Sequence, residues 1–324
     1  MKVLVTGGAG FIGRWVVRLL VSGTDGSDEI RFVPPRVWVV DNLSSGFYQN
    51  IEEFQGNPNF AGLHVEDVTD AEKMEALFAE KFDVCFHLAA RINVQESIDE
   101  PGKAFHNDVV GTFRLLDLCR RHRTKMVLVS TCMVYDAATD GRGIDENHAL
   151  RCASPYAASK LATEKLAESF FHAYGLPVVV LRPFNTYGPF QRTDGEGGVV
   201  GIFLERKLRG EDVLVYGEGT QTRDLLYVED CARFIVMAGF SDRANGRLLN
   251  AGLGADVSVN ELARLIVGDA KRIKHVPHLH PQAEIPRLRC DYSEAARVLG
   301  WRPTVSLAEG IARTERWLVK RSIE

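Results

Sequence analysis

Residues 2–23 read KVLVTGGAGFIGRWVVRLLVSG, and their order sets the first unit of the fold. KVLVT is short, apolar and rich in β-branched residues, which predicts a strand over 2–6. GRWVVRLLVSG predicts a helix over 13–23 that stops at Gly23. Between them Gly7, Gly10 and Gly13 follow the spacing G-x-x-G-x-x-G. Glycine lets the chain turn tightly after the strand and approach a pyrophosphate, and the next helix directs its positive N-terminus at that anion. A bare glycine pattern is weak, because many tight turns share it. The strand before and the helix after supply the context that a dinucleotide site requires. The competing reading is a glycine-rich turn that holds no ligand.

The same alternation continues through the N-terminal half. Strands are expected at 36–40 (RVWVV), 83–89, 125–130 and 177–182, and helices at 71–81, 101–122 and 155–175, the last closed by Gly175 and Pro177. Strands that are apolar throughout, alternating with helices, mean a parallel sheet covered on both faces. The segment 24–35, TDGSDEIRFVPP, is an unusually polar connection between the first helix and the second strand. Beyond about residue 183 glycine and proline increase and the spacing loosens, which suggests a smaller domain. The fold class is therefore α/β, a doubly wound parallel sheet with a smaller α/β domain after it.

Composition narrows the function classes. The chain has 324 residues, enough for about two domains. With 25% charged and 45% hydrophobic residues it reads as an ordinary soluble protein. A net charge of −4 gives no reason to expect nucleic acid or an anionic membrane as main partner. No apolar run approaches the roughly 20 residues of a membrane span, and the apolar run before the first glycines is too short for a signal-peptide core. Cys85, Cys119, Cys132, Cys152, Cys231 and Cys290 show no CxxC spacing. The expectation is a cytoplasmic chain with no metal site and no disulfide framework.

The second strand ends VVDN, which puts Asp41 at its C-terminal edge. A carboxylate there accepts hydrogen bonds from ribose hydroxyls and repels a 2′-phosphate, which favours NAD over NADP. Asp41 would equally suit a cap on the DNLSSG turn.

Downstream, STCMVYD (130–136) is followed by SPYAASK (154–160). Tyr156 and Lys160 are four apart on an expected helix, so they share a face. A tyrosine with a reference pKa of about 10 is a poor base at neutral pH. A lysine ammonium one turn away, with a cationic nicotinamide nearby, would favour the phenolate. Tyr156 would then take the proton of a substrate hydroxyl while NAD takes the hydride. Thr131, at a strand end, could hold the same oxygen. Alone, Y-x-x-x-K more often marks an exposed helix face.

GGAGFIG, DNLSSG, EDVTD (66–70), HLAA (87–90), NDVVGT (107–112), STCMVY, SPYAASK, RPFNTYGP (182–189), GEGTQTRDLLYVED (217–230) and LGWRP (299–303) occur in that order. Together they resemble the extended short-chain dehydrogenase/reductase family, in particular its NAD-dependent nucleotide-sugar epimerases and dehydratases. The pattern is nearest that of UDP-glucose (UDP-galactose) 4-epimerases. The resemblance implies a Rossmann-type NAD domain over 1–182, with 224–250 returning to it. It implies a nucleotide-sugar domain over 183–223 and 251–324. Gly7, Gly10, Phe11, Ile12, Gly13, Asp41, Asn42, Ser45, Asp67, Val68, Leu88, Ala89, Ala90, Asn107 and Pro183 are implied to contact the cofactor, together with Tyr156 and Lys160. Thr131, Tyr156 and Lys160 are implied as the catalytic trio. Asn185, Arg223 and Arg287 are implied to hold the diphosphate, Val199 and Val200 to make a backbone contact, and Leu214 and Tyr216 to wall the base; guanidinium forks suit phosphate oxygens. Arg91, after HLAA, would reach the sugar or merely meet solvent. Helices 101–122 and 155–174 occupy positions that relatives use for a homodimer.

The residues after Thr131 narrow the chemistry. In relatives that eliminate water across C5 and C6 of a sugar, these positions are Asp and Glu; here they are Cys132 and Met133. Methionine has no titratable proton, and a cysteine serves as a base only if a neighbour lowers its pKa from about 8.5. Nucleotide-uronic acid decarboxylases also commonly carry glutamate at the Met133 position. The expected reaction is therefore 4-epimerisation through a 4-ketosugar. Dehydration or 5-epimerisation through Cys132, or chemistry on a nucleotide-linked uronic acid, are the alternatives. A non-enzymatic NAD sensor is disfavoured, because Tyr156 and Lys160 are both kept.

Overall fold

The structure is a computed structural model that describes residues 1–24, 31–138, 141–193, 198–278 and 281–321. Its first layer is a seven-stranded sheet of β1 (Lys2–Thr6), β2 (Arg36–Val40), β3 (Phe60–His64), β4 (Val84–His87), β5 (Lys125–Val129), β6 (Val178–Pro183) and a late strand at Leu248–Ala251. From one edge the order is Leu248–Ala251, β6, β5, β4, β1, β2, β3, and every pairing is parallel. Strand β3 was not among the expected strands. It is half-exposed at the sheet edge, carries Gly62 at φ 130°, and slips its register opposite Val37 and Trp38. Those features remove the apolar signal that marks the inner strands.

Alternate residues of each strand serve opposite cores. Val3 and Val5 face α1 (Phe11–Ser22), while Leu4 faces α2 (Ala71–Phe78). The expected helix over 101–122 is instead three pieces, preceded by α3 (Val94–Asp99). These are α4 (Pro101–Ala104), a six-residue turn of wider π-helical repeat over Phe105–Val110, and α5 (Gly111–His122). Helix α6 (Pro155–Tyr174) starts because Ser154 caps the Ala157 amide at 3.2 Å and Pro155 fits the first turn. It ends at Gly175, φ 66°. Helices α2, α5 and α6 cover the Leu4 face with Phe78, Leu115, Leu116 and Phe170.

The remainder consists of β7 (Asn185–Tyr187), α7 (Val199–Leu208), β8 (Val213–Tyr216), β9 (Thr222–Tyr227), α8 (Val228–Phe240), β10 (Leu248–Ala251), β11 (Asp256–Ser258), α9 (Val259–Val267), β12 (Ile273–Val276), α10 (Ser293–Leu299) and α11 (Leu307–Arg321). Helix α8 and strand β10 join the large sheet, with Phe234 and Ile235 in the same core as Val3 and Val5. A separate core of Val200, Phe203, Leu204, Leu225, Leu262 and Ile266 holds α7 and α9 against two small sheets, β11-β9-β7 and β12-β8.

Of the polar connection 24–35, residues 25–30 lie outside the described residues; its ends meet in a bridge between Thr24 and Arg31, and Phe32 packs edge-on against Phe240. Among the described residues no helix is long and apolar enough to cross a membrane.

Candidate active site

The glycine turn is built by close approach. Gly7 has φ 72°, and a Cβ there would lie 2.6 Å from the Ala89 amide nitrogen. A Cβ on Gly13 would run into the Gly7 carbonyl oxygen. Glycine at both positions therefore lets β1, the start of α1 and the end of β4 converge. Gly10 caps α1 without any side chain, so the positive helix terminus opens onto a cavity lined by Gly7, Gly10, Phe11, Ile12 and Gly13.

Asp41 sits beside this turn, almost fully buried. Its carboxylate accepts from the Ala9 amide at 3.0 Å and the Leu43 amide at 2.9 Å, and burial pushes its pKa up. The residue thus caps the turn as well as lining the cavity. Asn42 donates to Asp67 at 2.7 Å, and both line the same wall with Ser45 and Val68. Leu88, Ala89, Ala90, Asn107 and Pro183 complete that end.

The cavity, about 890 Å³, is continuous from the glycine turn to the loops around β8 and β9, and Thr131, Tyr156 and Lys160 lie along it. Lys160 is buried, and its Nζ donates to the Val129 carbonyl oxygen at 2.6 Å. Burial pulls its pKa down, and Asp108 and Glu164 oppose that. Burial also pushes the Tyr156 phenol well above its ordinary value, an effect that the neighbouring Thr131 hydroxyl offsets only in part. Without a further positive charge the site thus holds Tyr156 protonated. Glu164 is itself neutralised: Arg182 donates to it at 2.9 and 2.5 Å, and Ser130 adds a hydroxyl.

Cys132 is buried among Val134, Tyr135, Phe184 and Leu288, yet it also lines the cavity. Burial pushes its thiol up to about 12, with Arg223 only partly opposing. A thiol so placed does not accept a proton near neutral pH. Met133 lines the cavity beside it.

At the far end, Asn185, Val199, Leu214, Tyr216 and Arg223 line the wall. The Asn185 side-chain oxygen is buried and lacks a hydrogen-bond partner. Arg223 donates to the Thr222 and Ile285 carbonyls at 2.8 and 2.9 Å and pairs with Glu284, which His278 also binds at 2.5 Å. Two of the expected residues lie outside the cavity lining. Arg287 does not line the cavity; its Nε donates to Asp256 at 2.9 Å on the β11 side. Val200 is fully buried in the α7 core, because it faces inward from the helix while Val199 faces the cavity. Arg91 lines the cavity with its guanidinium on Glu96 at 2.8 Å.

Several wall residues escape a reading of motifs: Glu284, His278, Arg206 and Arg209. Glu284 is the single carboxylate between Asp269 and Asp291, a lone acid in a basic stretch, which is the one local signal available. Next to Asn107 the structure also buries Asp108, whose Oδ1 accepts the Arg91 amide at 2.8 Å and whose Oδ2 has no partner.

The residues fit a dinucleotide: a side-chain-free turn at a helix terminus, a carboxylate beside it, and a long cavity leading to an arginine. Comparison with known proteins agrees. Residues 4–314 match the family model described as GDP-mannose 4,6 dehydratase. The chain is 36% identical over 326 residues to a UDP-glucose 4-epimerase of Mycolicibacterium smegmatis, covering 99% of this chain and 100% of the relative. It is 37% identical over 325 residues to a dTDP-glucose 4,6-dehydratase of an Actinoplanes species, covering 98% and 97%. Among solved structures, Pal from Bacillus thuringiensis is 51% identical with a TM-score of 0.94, over 100% of both chains. UDP-glucose 4-epimerase from Thermotoga maritima, solved with UDP-glucose, is 35% identical with a TM-score of 0.89, over 100% of both chains. The Thermus thermophilus UDP-glucose 4-epimerase, solved with NAD, is 33% identical with a TM-score of 0.86, over 98% of this chain and 99% of that one. By fold, motif order and these matches, the chain belongs to the extended short-chain dehydrogenase/reductase family, in the branch that the GDP-mannose 4,6 dehydratase model describes.

Proposed function

We propose that this protein is an NAD-dependent nucleotide-sugar 4-epimerase acting on a UDP- or dTDP-hexose. The observation that carries this reading is that Thr131, Tyr156 and Lys160 share one cavity with the glycine turn and Arg223, while the two positions after Thr131 offer no base. When bound, NAD supplies a hydride acceptor, its later return, and a positive nicotinamide charge.

The chain's own residues do the rest. Tyr156 removes the proton from the C4 hydroxyl and later restores it to the alcohol. Lys160 supplies the nearby positive charge that favours the phenolate, and Thr131 holds the reacting oxygen. Asp41 accepts from the adenosine ribose, and the Gly7–Gly13 turn receives the pyrophosphate. Arg223 grips the sugar diphosphate, with Asn185 beside it and Leu214 and Tyr216 around the base. Releasing Arg223 from Glu284 accompanies that step. The 4-ketosugar then turns over about its diphosphate tether, and reduction on the opposite face gives the epimer.

A second reading rests on Cys132. Its thiol lines the cavity, and if a bound cation lowered its pKa the thiolate would abstract the C5 proton of the ketosugar, to be returned on the other face or lost with the C6 hydroxyl as water. That would make the protein act at C5 or C6, as a 5-epimerase or dehydratase. The protein is further read as a cytoplasmic homodimer joined through α5 and α6, where Phe113 and Tyr174 are exposed; a monomer mass in solution scattering would remove the dimer.

NMR of product mixtures from UDP-, dTDP- and GDP-sugars, with no cofactor added, decides between the readings. An equilibrium of C4 epimers supports epimerisation. A 6-deoxy-4-keto or unsaturated product, or inversion at C5, moves the assignment to Cys132.

A further inference from the structure

Among the described residues, Asp108 is the carboxylate beside the Tyr156–Lys160 pair that no cationic side chain hydrogen-bonds. It lies on the π-helical turn Phe105–Val110, which packs against α6, and it is 1% exposed. Oδ1 accepts the Arg91 amide at 2.8 Å, and Oδ2 is buried without a partner. The other titratable groups that surround the pair are already accounted for. Glu164, on α6, is bound by Arg182 and Ser130. His87, on β4, sits between the Thr6 and Thr112 hydroxyls at 2.7 and 2.9 Å, and burial pushes it down to about 3, so it is neutral. The Arg91 guanidinium is on Glu96. Cys132 keeps its proton. That leaves Lys160, buried and bonded to a neutral carbonyl on the helix that the Asp108 turn packs against, with Asp108 and then Glu164 as the charges that oppose its desolvation.

A buried ammonium without a counter-ion is expensive, and so is a buried carboxylate. Each relieves the other here. We infer that Asp108 is a positioning residue for the Tyr156–Lys160 pair: its carboxylate is the counter-charge that keeps Lys160 cationic in the dry site and sets the pH range of proton transfer at Tyr156. This deepens the proposed reaction and rests on that reading for its catalytic meaning only. The electrostatics agree, since Asp108 raises both Lys160 and Tyr156 while Lys160 lowers Asp108.

The sign of the effect follows. Removing the anion disfavours the ammonium and favours the phenolate, so both groups lose protons at lower pH. In the D108N protein, which keeps an oxygen for the Arg91 amide, the Tyr156 ionisation should fall by about one pH unit. It is read as phenolate ultraviolet absorbance, subtracting the spectrum of D108N/Y156F from D108N and that of Y156F from wild type. Both limbs of the pH–turnover profile should shift the same way. An unchanged Tyr156 midpoint overturns the inference.

Stability gives a second reading. D108N/K160M, which removes both charges, should be more stable to urea than the sum of the two single changes predicts. If D108N alone does not fold, the double variant should, and failure of both to fold means that Asp108 acts by shape and the inference falls. Turnover by Y156F would remove the proposed reaction while leaving the charge coupling between Asp108 and Lys160 measurable, so the two failures are separable.

Discussion

Lys160 donates its ammonium hydrogen to the Val129 carbonyl oxygen at 2.6 Å, which ties α6 to the C-terminal edge of β5. That bond fixes the rotation of the helix, and Tyr156, one turn earlier, faces the strand end that carries Thr131.

Lys160→Met is expected to lose turnover by about 10²–10⁴-fold, the usual weight of a positioned proton-transfer group. Because the Val129 carbonyl is left buried and unpaired, about 1–3 kcal/mol of stability should go with it. Steady-state kinetics and urea unfolding measure the two effects. Full activity in K160M would contradict the assigned role.

Cys132→Ala separates the two readings of the reaction. Under 4-epimerisation the thiol only packs against Phe184 and Leu288, so turnover should change less than about tenfold. A loss near a thousandfold would assign Cys132 to proton transfer at C5.

Gly13→Ala should damage both the fold and the cofactor site, because the new methyl meets the backbone carbonyl of Gly7 rather than a movable side chain. Overpacking of this kind costs about 1–3 kcal/mol. The expected result is a lowered melting temperature and protein purified with little bound NAD. Retention of both would show that the turn relaxes freely.

His87 makes acid stability a readout. Burial pulls its pKa from 6.5 to about 3, so the folded state disfavours the imidazolium. Above 6.5 both states are neutral and its contribution is complete. As pH falls from 6.5 toward 3 only the unfolded chain takes the proton, and stability falls by about 1.4 kcal/mol per pH unit. His87→Gln retains a polar bridge between Thr6 and Thr112 but cannot titrate. Its unfolding free energy in urea should therefore decline less between pH 7 and pH 5 than that of the parent, a difference of about 2 kcal/mol by the same slope. Parallel declines would mean that His87 is protonated in place.

What the sequence disclosed was local. The first strand, glycine turn and helix are legible because the strand, turn and helix are contiguous and Gly13 is demanded by contact with Gly7 and Gly8 within that one βα unit. Helix α6 is legible because Ser154, Pro155 and Gly175 mark its ends. Less legible features depend on pairing across the chain. The π-helical turn before α5 is a change of backbone hydrogen-bond register, to which apolar spacing is nearly blind. Arg287 pairs with an aspartate 31 residues away, and Arg223 meets Glu284 61 residues away. Asp41 shows a third difficulty: its place at the strand end suggested two roles, and its two backbone amides with a cavity-facing position leave room for both.

Because strand β10 closes one edge of the large sheet and α8 shields α1, the first half of this chain has no finished core when it leaves the ribosome. A nascent chain ending near residue 183 would present a bare β6 edge and the uncovered valines of β1 and β5. Chaperone engagement during translation, and insolubility of chains cut at that point, are what this connectivity imposes.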